Sequence, residues 1–350
     1  MAVSSLTTAS QVQKWVADYF AAYVRDSGFK PYMGRGQNSI INVKMELTPV
    51  GKTINIPLIA KLSGAGVSGQ TALEGAEEVL NNYNHQISID WVRNGVLQTE
   101  DQLQYTEMDL LKASREMLKL WSMERLRTDI ITGLGMIAGK SYATATTAEK
   151  NAWNAANTDR ILFGTSKSNY NATHATALAN IASSQKLSMS LVSLMKRVAK
   201  TSSPLIRPYK LENGSGREFY VMFAGSLAFR DLKIDMNTTN IDGRVRDVET
   251  NPVFQDGDLM YDGVIIREIP EIPVTGAVGT SSAQVAPVYL CGAQALGCAW
   301  GHEPSVRTED RDYGHFKGVA ITEARGVNKL VYNAKDHGIM TGFVAAAADA

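Results

Sequence analysis

Three observations predict an α+β fold for this 350-residue chain. Residues 103–134 carry apolar side chains at helical spacing, several shorter segments alternate apolar with polar residues, and no regular strand–helix repeat links them. In the long run Leu103, Leu110, Leu111, Leu118, Trp121, Leu126, Ile130 and Leu134 recur at mostly three- and four-residue steps, the period of a helix with one buried face. Lys112/Glu116 and Arg125/Asp129 stand four apart, where opposite charges pair weakly along the wet side. No proline or glycine interrupts the run before Gly133. At about 1.5 Å per residue it would extend roughly 45 Å, a strut rather than an ordinary domain helix.

The remaining elements follow in order. Residues 12–24 form a short amphipathic helix through Val12, Trp15, Val16, Tyr19, Phe20 and Tyr23, with Ser10 as cap and Gly28 as stop. A glycine-dotted link (33–38) leads to alternation at Ile41, Val43, Met45 and Leu47, a half-buried strand. After a turn at Pro49-Val50-Gly51, residues 53–62 are extended, and Pro57 confines them to an edge strand or a projecting arm. Residues 63–84 are loop-like, and 85–98 alternate again through Ile87, Ile89 and Trp91. Together 54–100 read as a long hairpin without a core of its own, which needs a partner surface and leads directly into the strut.

Residues 138–185 are rich in Ala, Thr, Asn and Ser and read as a surface excursion with at most short helices. Helix resumes at 187–199 (Leu187, Leu191, Leu194, Met195, Val198) and ends before Pro204. Residues 218–223 form a compact buried strand, 227–234 a short helix, and 261–269 a strand entered through Asp262-Gly263. Residues 288–299 fit a strand or a buried helix equally, and alternation returns from Val319 through Ile321 to Leu330 and Tyr332.

The totals narrow the function. The chain is 44% hydrophobic, enough for one elaborated domain or two, and its 35 basic and 35 acidic side chains cancel. Zero formal charge argues against a protein whose main task is an electrostatic grip on nucleic acid. Cys291 and Cys298 read as small buried apolar residues. The N-terminal residues lack a basic-then-apolar leader, and no apolar run approaches the roughly 20 residues that span a bilayer, so a cytoplasmic protein is expected.

Two motifs invite an enzyme reading. Gly64-x-Gly66-x-x-Gly69 has dinucleotide-loop spacing, with Asp90 about twenty residues on, but Pro57 spoils the preceding strand and the following segment is short and broken by Gly75. Gly139-Lys140-Ser141 resembles the end of a phosphate loop, yet it leaves a helix rather than a strand, as a helix C-terminus does. The five histidines are scattered; His302 and His315 lie near Glu303 and Asp312 at no recognised metal spacing. No serine sits in a nucleophile elbow. The run Arg307 to Asp312 mixes both signs, as a solvated face or an inter-subunit ion-pair patch does, and the basic groups at Lys196, Arg197, Lys200, Arg207 and Lys210 suit solubility as well as phosphate.

A series of short motifs, in order, carries a resemblance. Residues 63–69 with Leu73-Glu74-Gly75-x-Glu77-Glu78, then Ile87-x-Ile89-Asp90 and Arg93-Asn94, are similar to the E-loop region of tailed-phage major capsid proteins, in the branch of the N-four-type podoviruses. Phe29-Lys30-x-x-Met33-Gly34, Val43-Lys44, Trp121-x-x-Glu124-Arg125, Tyr220-Val221-x-Phe223, Asn251-Pro252-x-Phe254, Tyr261-Asp262-Gly263-Val264, residues 292–296 and Asp312-Tyr313-Gly314 agree, over most of 12–345. The segment 138–185 matches none of that pattern. The resemblance implies the Hong Kong 97-type capsid fold: 1–53 an N-terminal arm, 54–100 the E-loop over a neighbouring subunit, and 101–186 a P-domain with the spine helix 103–134 and an insertion near 138–185. It further implies an A-domain at 187–300 and P-domain return strands with a tail at 301–350.

What this implies is a non-enzymatic major capsid protein that builds hexamers and pentamers of an icosahedral phage head around double-stranded DNA. It would be assembled in the host cytoplasm, with scaffolding, portal and decoration proteins as further partners and no cofactor, metal or membrane. Gly64, Gly66, Gly69, Leu73, Glu74, Glu77 and Glu78 would make the inter-subunit contact, and Leu110, Leu118, Trp121, Glu124 and Arg125 would mark the spine. The alternatives are a nucleotide-dependent enzyme using the same glycines, or an encapsulin-like compartment shell.

Overall fold

The computed structural model describes residues 29–45, 51–59, 62, 64, 66–69, 73–74, 77–105, 110–210, 218–240 and 258–349. The expected helix at 12–24, the Pro49-Val50 turn and the motif at 251–254 lie outside them. In chain order come strands β1 (Met33–Gly34), β2 (Ile41–Lys44), β3 (Thr53–Ile59), β4 (Asn82–Ser88) and β5 (Asp90–Thr99). Helices α1 (Glu100–Tyr105), α2 (Leu110–Leu134) and α3 (Thr147–Ala156) follow, then β6 (Ile161–Phe163), α4 (His174–Ala179) and α5 (Met189–Thr201). Next are β7 (Tyr209–Lys210), β8 (Glu218–Ala224), α6 (Ser226–Asn240), β9 (Asp258–Tyr261) and β10 (Val264–Glu268). The chain closes with β11 (Val285–Cys291), β12 (Leu296–Arg311), β13 (Phe316–Lys329), β14 (Val331–Tyr332), β15 (Lys335–Asp336) and β16 (Ile339–Ala345).

Two sheets organise these elements. A five-stranded sheet runs β1-β2-β12-β13-β5, and a seven-stranded one runs β6-β16-β11-β8-β10-β9 with β7 beside β8. The spine helix α2 lies on the first sheet. Its 25 residues bury Leu118, Leu126, Ile130 and Leu134 with Ile321, Val327, Leu296 and Trp300, as the three- and four-residue spacing requires. The run 103–134 is therefore not seen as one uninterrupted helix: α1 and α2 are described at its two ends, and 106–109 lie outside the described residues. Ion pairs bind helix to sheet, from Arg125 to Asp129 at 3.3 Å, Asp129 to Arg325 at 2.8 Å and Arg325 to Glu323 at 3.1 Å.

The second sheet carries its own core. Helix α5, capped by the Ser188 hydroxyl on the Leu191 amide, buries Leu191, Met195 and Val198 against Tyr220, Met222, Val288 and Val344. Asp262 and Gly263, with φ of 48° and 69°, make the two-residue turn between β9 and β10, where both positions need left-handed backbone.

Several expectations are corrected here. Strand β2 turns Ile41 and Val43 to the core, with Met45 just beyond it, as its alternation requires, but Asn42 on its other side is buried as well. The ambiguous 288–299 segment is the end of β11 and the start of β12, in different sheets, separated by a turn with Gln294 at φ 58°. The 227–234 helix runs from Ser226 to Asn240.

Residues 138–185 are not a surface excursion. They form a lobe whose core joins Trp153, Ile161, Phe163, Leu178 and Ile181 to Val285 and Phe343, and β6 pairs with β16 inside the second sheet. The lobe is tied down by buried charge. Arg160, 1% exposed, donates to the carbonyl oxygens of Asp336, His337 and Pro204. The Asp336 carboxylate accepts from Lys329 Nζ at 2.9 Å and Trp153 Nε1 at 3.0 Å.

Candidate assembly interface

The hairpin β3–β4 is the feature with an incomplete core. Its register pairs Ile54 with Ile87, Ile56 with His85 and Leu58 with Tyr83, so one face carries all six. Near the base, Ile54 and Ile87 are buried with Ala299, Leu330 and Tyr332, and the His85 imidazole meets the Val331 carbonyl at 3.1 Å. Toward the tip cover is lost: Ile59 is 63% exposed and Val79 77%. The expectation of a hairpin with no core of its own is thus corrected. Its base has one, and its distal part does not.

The return limb is also not one strand. It breaks at Ile89: β4 pairs with β3, whereas β5 pairs with β13 from Asp90↔Arg325 to Thr99↔Phe316. β5 then passes into α1. The hairpin is therefore rooted in the same sheet that carries the spine helix.

Close approach at the root depends on two glycines inside long strands. A Cβ at Gly326 would overlap the Ser88 carbonyl oxygen, and one at Gly297 would overlap Ile87 Cδ1. Neither glycine was singled out from sequence, although a glycine inside an alternating run is the signal for such an approach. Gly326→Ala is expected to cost about 1–3 kcal/mol. Amide exchange should rise first in residues 82–88, and exchange at wild-type rates there would contradict this seat.

The expected site residues fall into two groups. Gly64, Gly66, Gly69, Leu73, Glu74, Glu77 and Glu78 lie at the hairpin tip. Gly66 and Gly69 have left-handed φ of 68° and 73°, with open space where a side chain would be. The Gly64 amide donates to the Glu78 carboxylate at 2.7 Å, joining the two limbs of the tip. Leu73 is 59% exposed. Leu110, Leu118, Trp121, Glu124 and Arg125 lie on α2, where Leu118 is buried, Leu110 and Trp121 are partly buried, and Glu124 and Arg125 face solvent. The structure does not bring the two groups together within one chain; β5 and α1 stand between them.

The features that suggested enzymes are otherwise occupied. Among the described residues the first helix after Gly69 is α1, far down the chain at Glu100–Tyr105. Ala138 and Gly139 form a tight turn after α2, and Lys140 is paired with Glu149 at 2.6 Å. Glu149 also completes the capping box with Thr146, and the Lys140 and Thr146 contacts hold its carboxyl down at about 2. Cys291 and Cys298 are buried and unbridged, and burial raises both thiols, Cys298 to about 12. Among the described residues no group of His, Cys, Asp and Glu is arranged to hold a metal, and no helix is long and apolar enough to cross a membrane.

Comparison with known proteins agrees with this arrangement. A family model described as "Phage capsid protein" matches residues 3–347. The major capsid protein of Pseudomonas phage KPP25 is 27% identical over 370 residues, covering 97% of this chain and 96% of that protein. Among solved structures, the capsid asymmetric unit of cyanophage Pam1 superposes with a TM-score of 0.85 at 40% identity, over 100% of both chains. The capsid of Ralstonia phage GP4 shares the fold at a TM-score of 0.71 and 21% identity, over 91% of this chain and 90% of that one.

Proposed function

Because the chain belongs to the phage capsid protein family and is a phage major capsid protein of the Hong Kong 97-type fold, we propose that residues 54–100 act as its E-loop, laid over a neighbouring subunit. The observation that carries this reading is a group of bare apolar side chains at and beyond the end of the paired strands, while the face of Ile54, Ile56 and Leu58 packs at home. Ile59, Leu62, Leu73, Val79 and Leu80 are each more than half exposed. Burying them on a neighbour yields roughly 25 cal/mol per Å² of apolar surface. Such a contact is head-to-tail, and repetition around a ring closes hexamers and pentamers of the shell. The open glycines 66 and 69 give the tip the freedom to be remodelled as the shell matures.

In this reading 1–53 is the N-terminal arm, α2 the spine of the P-domain at 101–186, 187–300 the A-domain and 301–350 the return strands. The subunit does no catalysis; it is assembled in the host cytoplasm around double-stranded DNA, with scaffolding, portal and decoration proteins as partners. Leu80→Asp combined with Val79→Asp tests the hairpin. Wild-type protein should sediment as megadalton shells, and the variant as free subunits or small rings with an unchanged circular dichroism spectrum. Shells formed by the variant at wild-type yield would defeat the E-loop assignment.

A further inference from the structure

We propose that the cleft between the C-terminal end of α2, the 141–150 segment and the 271–278 loop binds a small amphiphilic anion, an apolar body of fatty-acid size carrying one carboxylate. This goes beyond shell building and does not rest on it. The cleft has a volume of about 660 Å³, in the range of small-molecule sites and large for a packing defect. Its walls are mainly apolar, with Ile131, Leu178, Val274 and Phe343 among them.

Two features select the charge of the occupant. Tyr289 lines the cleft and is only 5% exposed, yet its hydroxyl makes no hydrogen bond among the described residues. That hydroxyl opens onto the cleft, and a carboxylate oxygen placed there would accept from it. Lys150 also lines the cleft, stacked over the Tyr142 ring at 4.5 Å, with no carboxylate partner among the described residues. Thr147 lines it too, as the first residue of the ten-residue helix α3, but the N-terminal end of that helix already holds the Glu149 carboxylate and selects no further anion. The one carboxylate in the lining, Glu271, is already held by Arg127 at 2.9 Å, so it is neutralised rather than poised against an anion. His174 adds no cation: its Nε2 lies 2.8 Å from the Tyr142 hydroxyl and its Nδ1 3.3 Å from Asn154 Oδ1, and both contacts suit the neutral ring.

The test is calorimetric titration of purified assembled shells with sodium decanoate at pH 7. Saturable binding near one decanoate per subunit is expected, with Lys150→Gln and Tyr289→Phe each weakening it about tenfold. Decanol, which lacks the charge, should bind at least tenfold more weakly than decanoate. Both substitutions leave the surrounding apolar wall in place, and if one variant fails to assemble, the other and the decanol comparison still decide. Binding that does not saturate, equal affinity in a variant and wild type, or decanol as tight as decanoate would overturn the proposal. So would binding to dissociated subunits but not to shells, because a neighbouring subunit would then fill the cleft.

Discussion

Arg325→Ala is expected to lower folding stability by about 3–5 kcal/mol. Arg325 is 3% exposed and Glu323 1%, and both side chains leave β13 on the face that meets the spine helix. The guanidinium touches Glu323 at 3.1 Å and Asp129 at 2.8 Å, so its removal leaves one fully buried and one largely buried carboxylate without their shared cation. The penalty comes from taking the cation away from the buried Glu323 carboxylate more than from a lost attraction. The double variant Arg325→Met with Glu323→Leu should therefore recover most of the loss, leaving Asp129 to its pair with Arg125. Urea denaturation at pH 7 checks both. A single variant within about 1 kcal/mol of wild type would show that the triad adds little.

Mild acid should weaken the fold through two buried histidines. Burial, with Lys150 nearby as a second cause, lowers His174 from 6.5 to about 4. Burial likewise lowers His337 to about 4, helped by Arg160 and Arg207. A depressed histidine is neutral in the native state while the unfolded chain takes up a proton below 6.5. The stability it contributes is thus present above about pH 6.5 and is lost as pH falls toward 4. For His174, ringed by Trp153, Phe163 and Phe343, the loss reaches about 3 kcal/mol at pH 4. The depressed carboxyls, such as Asp159, Asp262 and Glu271, act in the same direction but at lower pH. Unfolding free energy measured between pH 7 and 4.5 should fall in wild type and fall less steeply in His174→Gln. Equal slopes would remove His174 as the cause.

Much of the fold was legible because local pattern and tertiary burial agree. In α2 the residues at three- and four-residue steps are the ones that meet the first sheet, and in α5 the capping serine and the apolar stripe stand where the helix needs them. Pro57 marked β3 as an edge strand, and β3 pairs on one side only. The 138–185 lobe was missed because its few large residues bury themselves against Val285 and Phe343, more than a hundred positions away. In the hairpin, alternation marked the strands and slipped by one at Val92, but the slip did not say that the partner strand changes at Ile89. The cleft lined by Tyr289 is likewise assembled from segments as far apart as Thr128 and Phe343.

The sequence by itself determined the α+β class, the long helix, the helices α5 and α6, strands such as β2, β3, β8, β10 and β13, and, through the order of its short motifs, the capsid family. These follow from periodicity and residue type, which act over a few neighbours along the chain. Only the tertiary structure decided which strands share a sheet, that the 138–185 lobe shares a core with β11 and β16, and where the hairpin stops being buried. Those depend on which distant residues compete for the same apolar surface, and that competition leaves no local period to read.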